Sequence, residues 1–215
     1  MKKQSLLFLL FSLITVPVMH SQKKSDVSGW ITTDLVLTQG HWDYTASLEY
    51  RSKENMGEMD LFSIGTYGRY TFSPLLKVSG GYEAFLTHTF DRGTIWEHRL
   101  LLQNESSFYF QGIKIDNRFS FLDDFEKINT PSWGIRDRLR LKYPVRNIEP
   151  YTYLELYYYV KTKQMVHHKN RYAVGLNYMI DSQHFLGMYY MREAYFQKTF
   201  ANNVIGISYV MTLSI

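Results

Sequence analysis

The stretch Ser132-Trp-Gly-Ile-Arg-Asp-Arg-Leu-Arg-Leu-Lys-Tyr-Pro144 decides how the chain is read. In an extended backbone, side chains alternate between two faces. Arg136, Arg138, Arg140 and Lys142 therefore fall on one side, and Trp133, Ile135, Leu139, Leu141 and Tyr143 on the other. A helix would mix the two sets. A strand that is wholly basic on one face and apolar on the other, with aromatics near both ends, suits a wall between hydrocarbon and a polar, charge-filled interior. The expected fold is all-β, an antiparallel transmembrane up-and-down β-barrel of the bacterial outer membrane. Asp137 departs from the pattern, because it would face lipid among Ile135, Leu139 and Leu141. The opposite register would expose three arginines and a lysine instead, so Asp137 is expected near a rim or bonded to a neighbouring strand, with Asn104 and Asn117 as milder misfits.

The rest of the chain supplies strands of the same kind. Trp42, Tyr44, Ala46, Leu48 and Tyr50 alternate with Asp43, Thr45, Ser47, Glu49 and Arg51. Glu97, Arg99, Gln103 and Glu105 oppose Trp96, Leu100, Leu102 and Phe108, while Lys114, Asp116 and Arg118 oppose Ile113, Ile115, Phe119 and Phe121. Roughly eleven such period-two segments follow one another in hairpins. The final one, residues 203–215, ends on Ile215 and is expected to pair with the first strand, so that no edge is left free. Connections around Gln39-Gly40, Ser73-Pro74, Gln111-Gly112, 145–148 and 181–183 read as short. Those near 52–60, 86–94, 122–132, 161–168 and 192–202 read as long. With both chain ends on the periplasmic side the strand number must be even. The expectation is ten strands, if 30–38 is not a full wall strand, or twelve.

Aromatics make up 17% of the chain, with 18 Tyr and 14 Phe, a strand-forming composition that also supplies interfacial girdles. Trp42, Trp96, Trp133 and Tyr143 are the expected interfacial aromatics. Met1-Lys2-Lys3 followed by an apolar run from Leu6 to Val18 reads as a secretory signal, too short for a comfortable bilayer span of about 20 residues. Residues 1–21 are expected to be cleaved, leaving 22–215 as the barrel. Without Lys2 and Lys3 the 24 basic groups fall to 22 against 20 acidic ones, a near balance that removes the main argument for nucleic acid binding. The absence of cysteine excludes disulfides and an N-terminal lipid anchor on Cys. A mean hydropathy of −0.27 is compatible with a barrel whose interior is polar.

The order of Leu48-Glu49-Tyr50-Arg51, Glu97-His98-Arg99-Leu100, Arg138-Leu139-Arg140-Leu141-Lys142-Tyr143, Glu155-Leu156-Tyr157 and Asn170-Arg171-Tyr172-Ala173-Val174-Gly175-Leu176-Asn177-Tyr178 resembles the family catalogued as domain of unknown function 2490. The resemblance covers most of the mature chain. It implies an outer-membrane barrel of Gram-negative bacteria and transfers no activity or catalytic residues.

The expected site is an interior charge network of Glu49, Arg51, Glu97, Arg99, Glu105, Asp116, Arg118, Arg136, Arg138, Arg140, Lys142, Glu155 and Arg171. The basic row at 136–142 could line an anion path or contact lipopolysaccharide. Structural pairing is favoured, because an unpaired buried charge costs several kcal/mol and Asp116 and Glu155 lie on the flanking segments. The function expected is that of a small, non-enzymatic outer-membrane barrel with a largely plugged lumen, serving structure, adhesion or narrow small-solute passage. The alternative is an outer-membrane lipid-modifying enzyme of lipase or lipid A deacylase type. No His-x-Ser pair occurs on one strand face in the mature chain, nor Gly-x-Ser-x-Gly or His-Glu-x-x-His. Neither a cofactor nor a metal is expected. The expected partners are outer-membrane lipids and lipopolysaccharide, and the barrel-assembly machinery through the C-terminal strand 203–215.

Overall fold

A computed structural model describes residues 24–89, 93–125, 132–161, 164–196 and 200–215. The expected signal, 1–21, lies outside them. Eleven strands follow one another: β1 (Lys24–Gln39), β2 (Trp42–Lys53), β3 (Glu58–Ser73), β4 (Leu76–Thr89), β5 (Gly93–Phe110), β6 (Ile113–Phe125), β7 (Ser132–Lys142), β8 (Ile148–Lys161), β9 (Gln164–Met179), β10 (His184–Tyr195) and β11 (Phe200–Ser214). Each pairs antiparallel with its sequence neighbour. The sheet closes where β1 runs parallel to β11, from Lys24 opposite Phe200 to Thr38 opposite Ser214. The backbone N–H of Ile215 donates to the Thr38 carbonyl at 3.0 Å.

The expectation of ten or twelve strands is therefore corrected to eleven. Even parity presumes that every neighbouring pair is antiparallel. One parallel seam removes that requirement and closes an odd sheet without a free edge. The segment at 30–38 is a full wall strand, paired with β2 over Trp30–Gln39. The short connections behave as read: Gln111 and Gly112 have φ of +50° and +82°, the two left-handed residues of a type I′ hairpin turn. Within the connections expected to be long, the described residues are mostly strand. His88 still pairs with Thr94, and Lys161 with Gln164. Ladders continue past the apolar band, where neither face has to be apolar, and period-two hydropathy is lost there before the hydrogen bonding is.

The two faces of the wall are inverted relative to a water-soluble protein. Leu102 is 63% exposed, Ile205 53% and Leu139 46%, all on the outside, whereas Asp116, Glu155 and Glu193 are each only 2% exposed inside. The interior also holds two small apolar clusters. One consists of Trp30, Ala173, Met191 and Val204, the other of Leu101, Leu122 and Tyr157. Four inward tyrosines lie over glycines directly across the ladder: Tyr67 over Gly81, Tyr159 over Gly134, Tyr151 over Gly175 and Tyr189 over Gly206. A Cβ at Gly206 would come within 1.9 Å of the Tyr189 ring, so this close approach requires glycine.

Candidate functional site in the lumen

The basic row of β7 lies between β6 and β8, and two buried carboxylates on those strands divide it. Asp116 on β6 sits 3.3 Å from Lys114 and Arg140 and 3.5 Å from Lys142, and accepts the Ser107 hydroxyl at 2.7 Å. Lys142 reaches on to Glu149 at 3.2 Å. Glu155 on β8 sits 3.2 Å from Arg171, 3.4 Å from Arg118 and 3.6 Å from Arg136. Arg171 also donates to Glu193 at 2.6 Å, an acid that it shares with Lys169 at 2.8 Å. The Tyr157 hydroxyl accepts from Arg171 and, at 3.1 Å, from Arg136. A carboxylate that serves several guanidiniums offsets part of the cost of taking each of them out of water.

The remaining wall carries smaller groups of pairs. Arg99 bonds Asp124 at 2.5 Å and Glu83 at 3.3 Å, and Tyr67 donates to Glu83. Arg69 bonds Asp43 at 2.7 Å, Arg51 bonds Glu49, and Asp34 accepts from Ser47 at 2.6 Å. The guanidiniums of Arg51 and Arg171 stand 4.0 and 5.0 Å from the centre of the Trp30 ring, a cation–π arrangement inside the barrel. What is left is a cavity of about 400 Å³ whose lining includes Glu49, Glu83 and Glu105 as well as Arg118, Arg136 and Arg138.

Among the residues singled out from the sequence, Glu49, Arg51, Arg99, Asp116, Arg118, Arg136, Arg140, Lys142, Glu155 and Arg171 take part in these ion pairs. Glu105 faces Lys77 and Arg118 across its two ladders, and Glu97 is buried opposite Phe85. Arg138 stands directly between Arg118 and Glu155, with its guanidinium 5.5 Å from the Tyr153 ring centre. Sequence reading missed Asp34, Asp43, Asp124, Lys169, Glu193 and Trp30 as members. Extending the alternation of Asp116, Arg118, Ser120 and Leu122 by one step reaches Asp124. Extending Tyr189 and Met191 reaches Glu193.

On the outer face, Trp42 packs edge-on to Tyr70 at 4.9 Å and stacks with Tyr44, next to the tight turn at 40–41. Tyr143 lies at the same rim, beside the Gly112 turn. Trp96, near the start of β5, and Trp133, stacked on Phe121 at 5.8 Å, mark the opposite rim. The misfits meet one another. Asn117 Nδ2 donates to Asp137 Oδ1 at 2.8 Å across the β6–β7 ladder, a diagonal pair, and the Ser106 hydroxyl donates to Asn104 at 3.4 Å. Of the histidines, His98 bonds the Tyr82 hydroxyl, His184 the Tyr209 hydroxyl at 2.6 Å, His88 Thr94 at 3.2 Å and His167 Asn170 at 2.7 Å. None of these four pairs includes a serine. Among the described residues no group of three or more His, Asp or Glu is placed to hold a metal ion.

No curated protein matches the sequence. The beta domain of the Bordetella autotransporter BrkA overlays with a TM-score of 0.45 at 12% identity, covering 82% of this chain and 83% of its own. An anion-selective porin from Comamonas acidovorans overlays with a TM-score of 0.39 at 15% identity, covering 79% of this chain and 52% of its own. Overlays this loose say nothing about activity or cargo. Residues 27–204, from β1 into β11, match the family model described as protein of unknown function DUF2490, and the chain belongs to that family.

Proposed function

We propose that the protein is a non-enzymatic barrel of the bacterial outer membrane whose lumen, closed down by its own paired charges, admits or holds only small solutes. The observation that carries this reading is the inverted wall: leucines and isoleucines stand exposed outside while Asp116, Glu155, Arg171 and Glu193 are buried inside. A strand of 14 residues, such as β4 or β8, is about 46 Å long at ~3.3 Å per residue. Tilted as barrel strands are, that is enough to cross a hydrocarbon layer of about 25 to 30 Å. The aromatics at the two rims suit the two lipid headgroup layers, with phospholipid and lipopolysaccharide as the contacts of the outer wall. Residues 203–215, most of β11 and the residue that follows it, are the segment offered to the barrel-assembly machinery, and Gln22 is the expected first residue after signal cleavage.

Narrow passage follows from the interior. Long side chains link β6 to β10 along the inner wall through Glu155 and Glu193, and the cavity they leave is about 400 Å³. The test is membrane fractionation of cells, followed by planar-bilayer recording on the purified protein. Recovery in the outer membrane is expected, with migration on gels that changes after boiling and no steady large conductance. A stable, voltage-independent conductance of general-porin size would refute the closed lumen. Recovery in the soluble periplasm would refute the membrane assignment.

A further inference from the structure

Across β4 to β10 the inner wall carries one continuous belt of charges, each directly opposite the next on the ladder: Lys77, Glu105, Arg118, Arg138, Glu155, Arg171 and Glu193. The signs alternate at every step except one, where Arg118 faces Arg138. Like charges directly opposed on a ladder are unfavourable. The surroundings relieve Arg118, which bonds Glu155 at 3.4 Å, but not Arg138. Although Glu155 is the cross-strand partner of Arg138, its oxygens are turned to Arg118, Arg136 and Arg171. Among the described residues no carboxylate lies within 4.0 Å of the Arg138 guanidinium, whose recorded neighbour is the face of Tyr153.

The donors are also incomplete. The buried Nε–H groups of Arg118, Arg136, Arg138 and Arg140 have no hydrogen-bond acceptor, and the first three of these residues border the cavity. Those Nε atoms are closed off from the cavity, but Arg118 and Arg136 keep 22% and 15% of their side chains accessible, and the excess positive charge there suits an acceptor with several oxygens and negative charge. The cavity is large enough for a small oxyanion with water around it. We infer that Arg118 and Arg138, with Arg136 beside them, hold a small oxyanion such as phosphate or sulfate between their guanidinium groups inside the barrel. The bound anion restores the missing negative step in the belt. The enclosing wall restricts the ligand to free oxyanions and excludes a headgroup that carries acyl chains. This site rests on the closed-lumen reading given above.

The test uses the whole purified barrel in detergent micelles, first in chloride alone and then with inorganic phosphate or sulfate added at matched ionic strength. Phosphate and sulfate should raise the unfolding midpoint of the wild type above the chloride control. Arg138→Gln should lose that shift, with phosphate affinity reduced about tenfold or more, the effect of removing one charge-assisted donor pair. In chloride alone the same variant should be at least as stable as the wild type, because a repulsive pair has been removed. Arg69→Gln, which breaks the pair with Asp43, should keep the full phosphate shift. If Arg138→Gln does not fold, Arg118→Gln and the wild-type comparison of phosphate with chloride give the same reading. A micellar short-chain phosphatidylglycerol should give no shift. The inference is overturned if phosphate does no more than chloride, if Arg138→Gln retains the shift, or if the lipid phosphate reproduces it. Those results leave the membrane fractionation and conductance tests standing, so the two readings fail separately.

Discussion

Replacing Glu155 by glutamine keeps the shape of the side chain and removes the negative charge that Arg118, Arg136 and Arg171 share at 3.4, 3.6 and 3.2 Å. At an effective dielectric constant of ~20, each contact carries about 5 kcal/mol of attraction. Most of that total is already offset by the cost of holding the charges away from water. The net loss on removing one buried partner is about 3 to 5 kcal/mol, because the guanidiniums stay where they are without it. Arg171 keeps Glu193, and Arg136 keeps Tyr157, which places the expected loss at the lower end of that range. Asp43→Asn is the matched control, since its partner Arg69 is 38% exposed and a pair so placed is worth about 1 kcal/mol or less. Urea unfolding of the protein folded in detergent, followed by tryptophan fluorescence in phosphate-free chloride, measures both variants. Of the four tryptophans that give the signal, Trp30 stands beside Arg171 in the network. Equal destabilisation by Glu155→Gln and Asp43→Asn would refute the idea that the interior charges form one interdependent network.

Gly206→Ala should cost about 1 to 3 kcal/mol by forcing the Tyr189 ring off its seat, and Tyr189→Ala in the same chain should recover most of the loss. Unfolding midpoints of the two singles and the double measure this, and strict additivity would show that ring and glycine do not interact. On the outer wall, Asn117→Leu should cost about 1 to 3 kcal/mol because the Asp137 carboxylate loses its donor among apolar neighbours. The double variant Asn117→Leu, Asp137→Leu should be restored to wild-type stability or better, and a double variant as unstable as the single would exclude the bond as the cause.

The division between the two faces could be read wherever a strand carried charge on one side, as Arg136 to Lys142, Glu49 with Arg51, and Glu97 with Arg99 do, because a period of two leaves only two registers and one of them exposes the charges to lipid. Period-two hydropathy fades toward the ends of β6 and β10, and so it does not reveal Asp124 and Glu193 as members of the network. The strand count failed on a premise about chain direction, not on the segments. Nothing in the residues of β1 distinguishes a parallel from an antiparallel neighbour, since either ladder satisfies Ile31, Leu35 and Asp34 equally. The tyrosine–glycine seats and the bond between Asn117 and Asp137 depend on cross-strand register. Register is set by turns and bulges, such as the shift between Tyr157 and Tyr158, rather than by composition.

The parallel seam has a consequence for handling the protein. In a barrel closed by antiparallel strands the first and last strands finish at the same rim, and the ends can be joined by a short linker. Here Lys24 lies level with Phe200 and Ser214 level with Thr38, so the two ends are separated by the length of the closing strand, about 46 Å at ~3.3 Å per residue. A linker for a circular permutant would need at least about 14 extended residues, and the filled lumen gives it no path inside. In the membrane barrel proposed above, epitope tags joined next to Lys24 and next to Ser214 would accordingly mark opposite sides of the bilayer, and a single protease added to intact cells would remove one and spare the other.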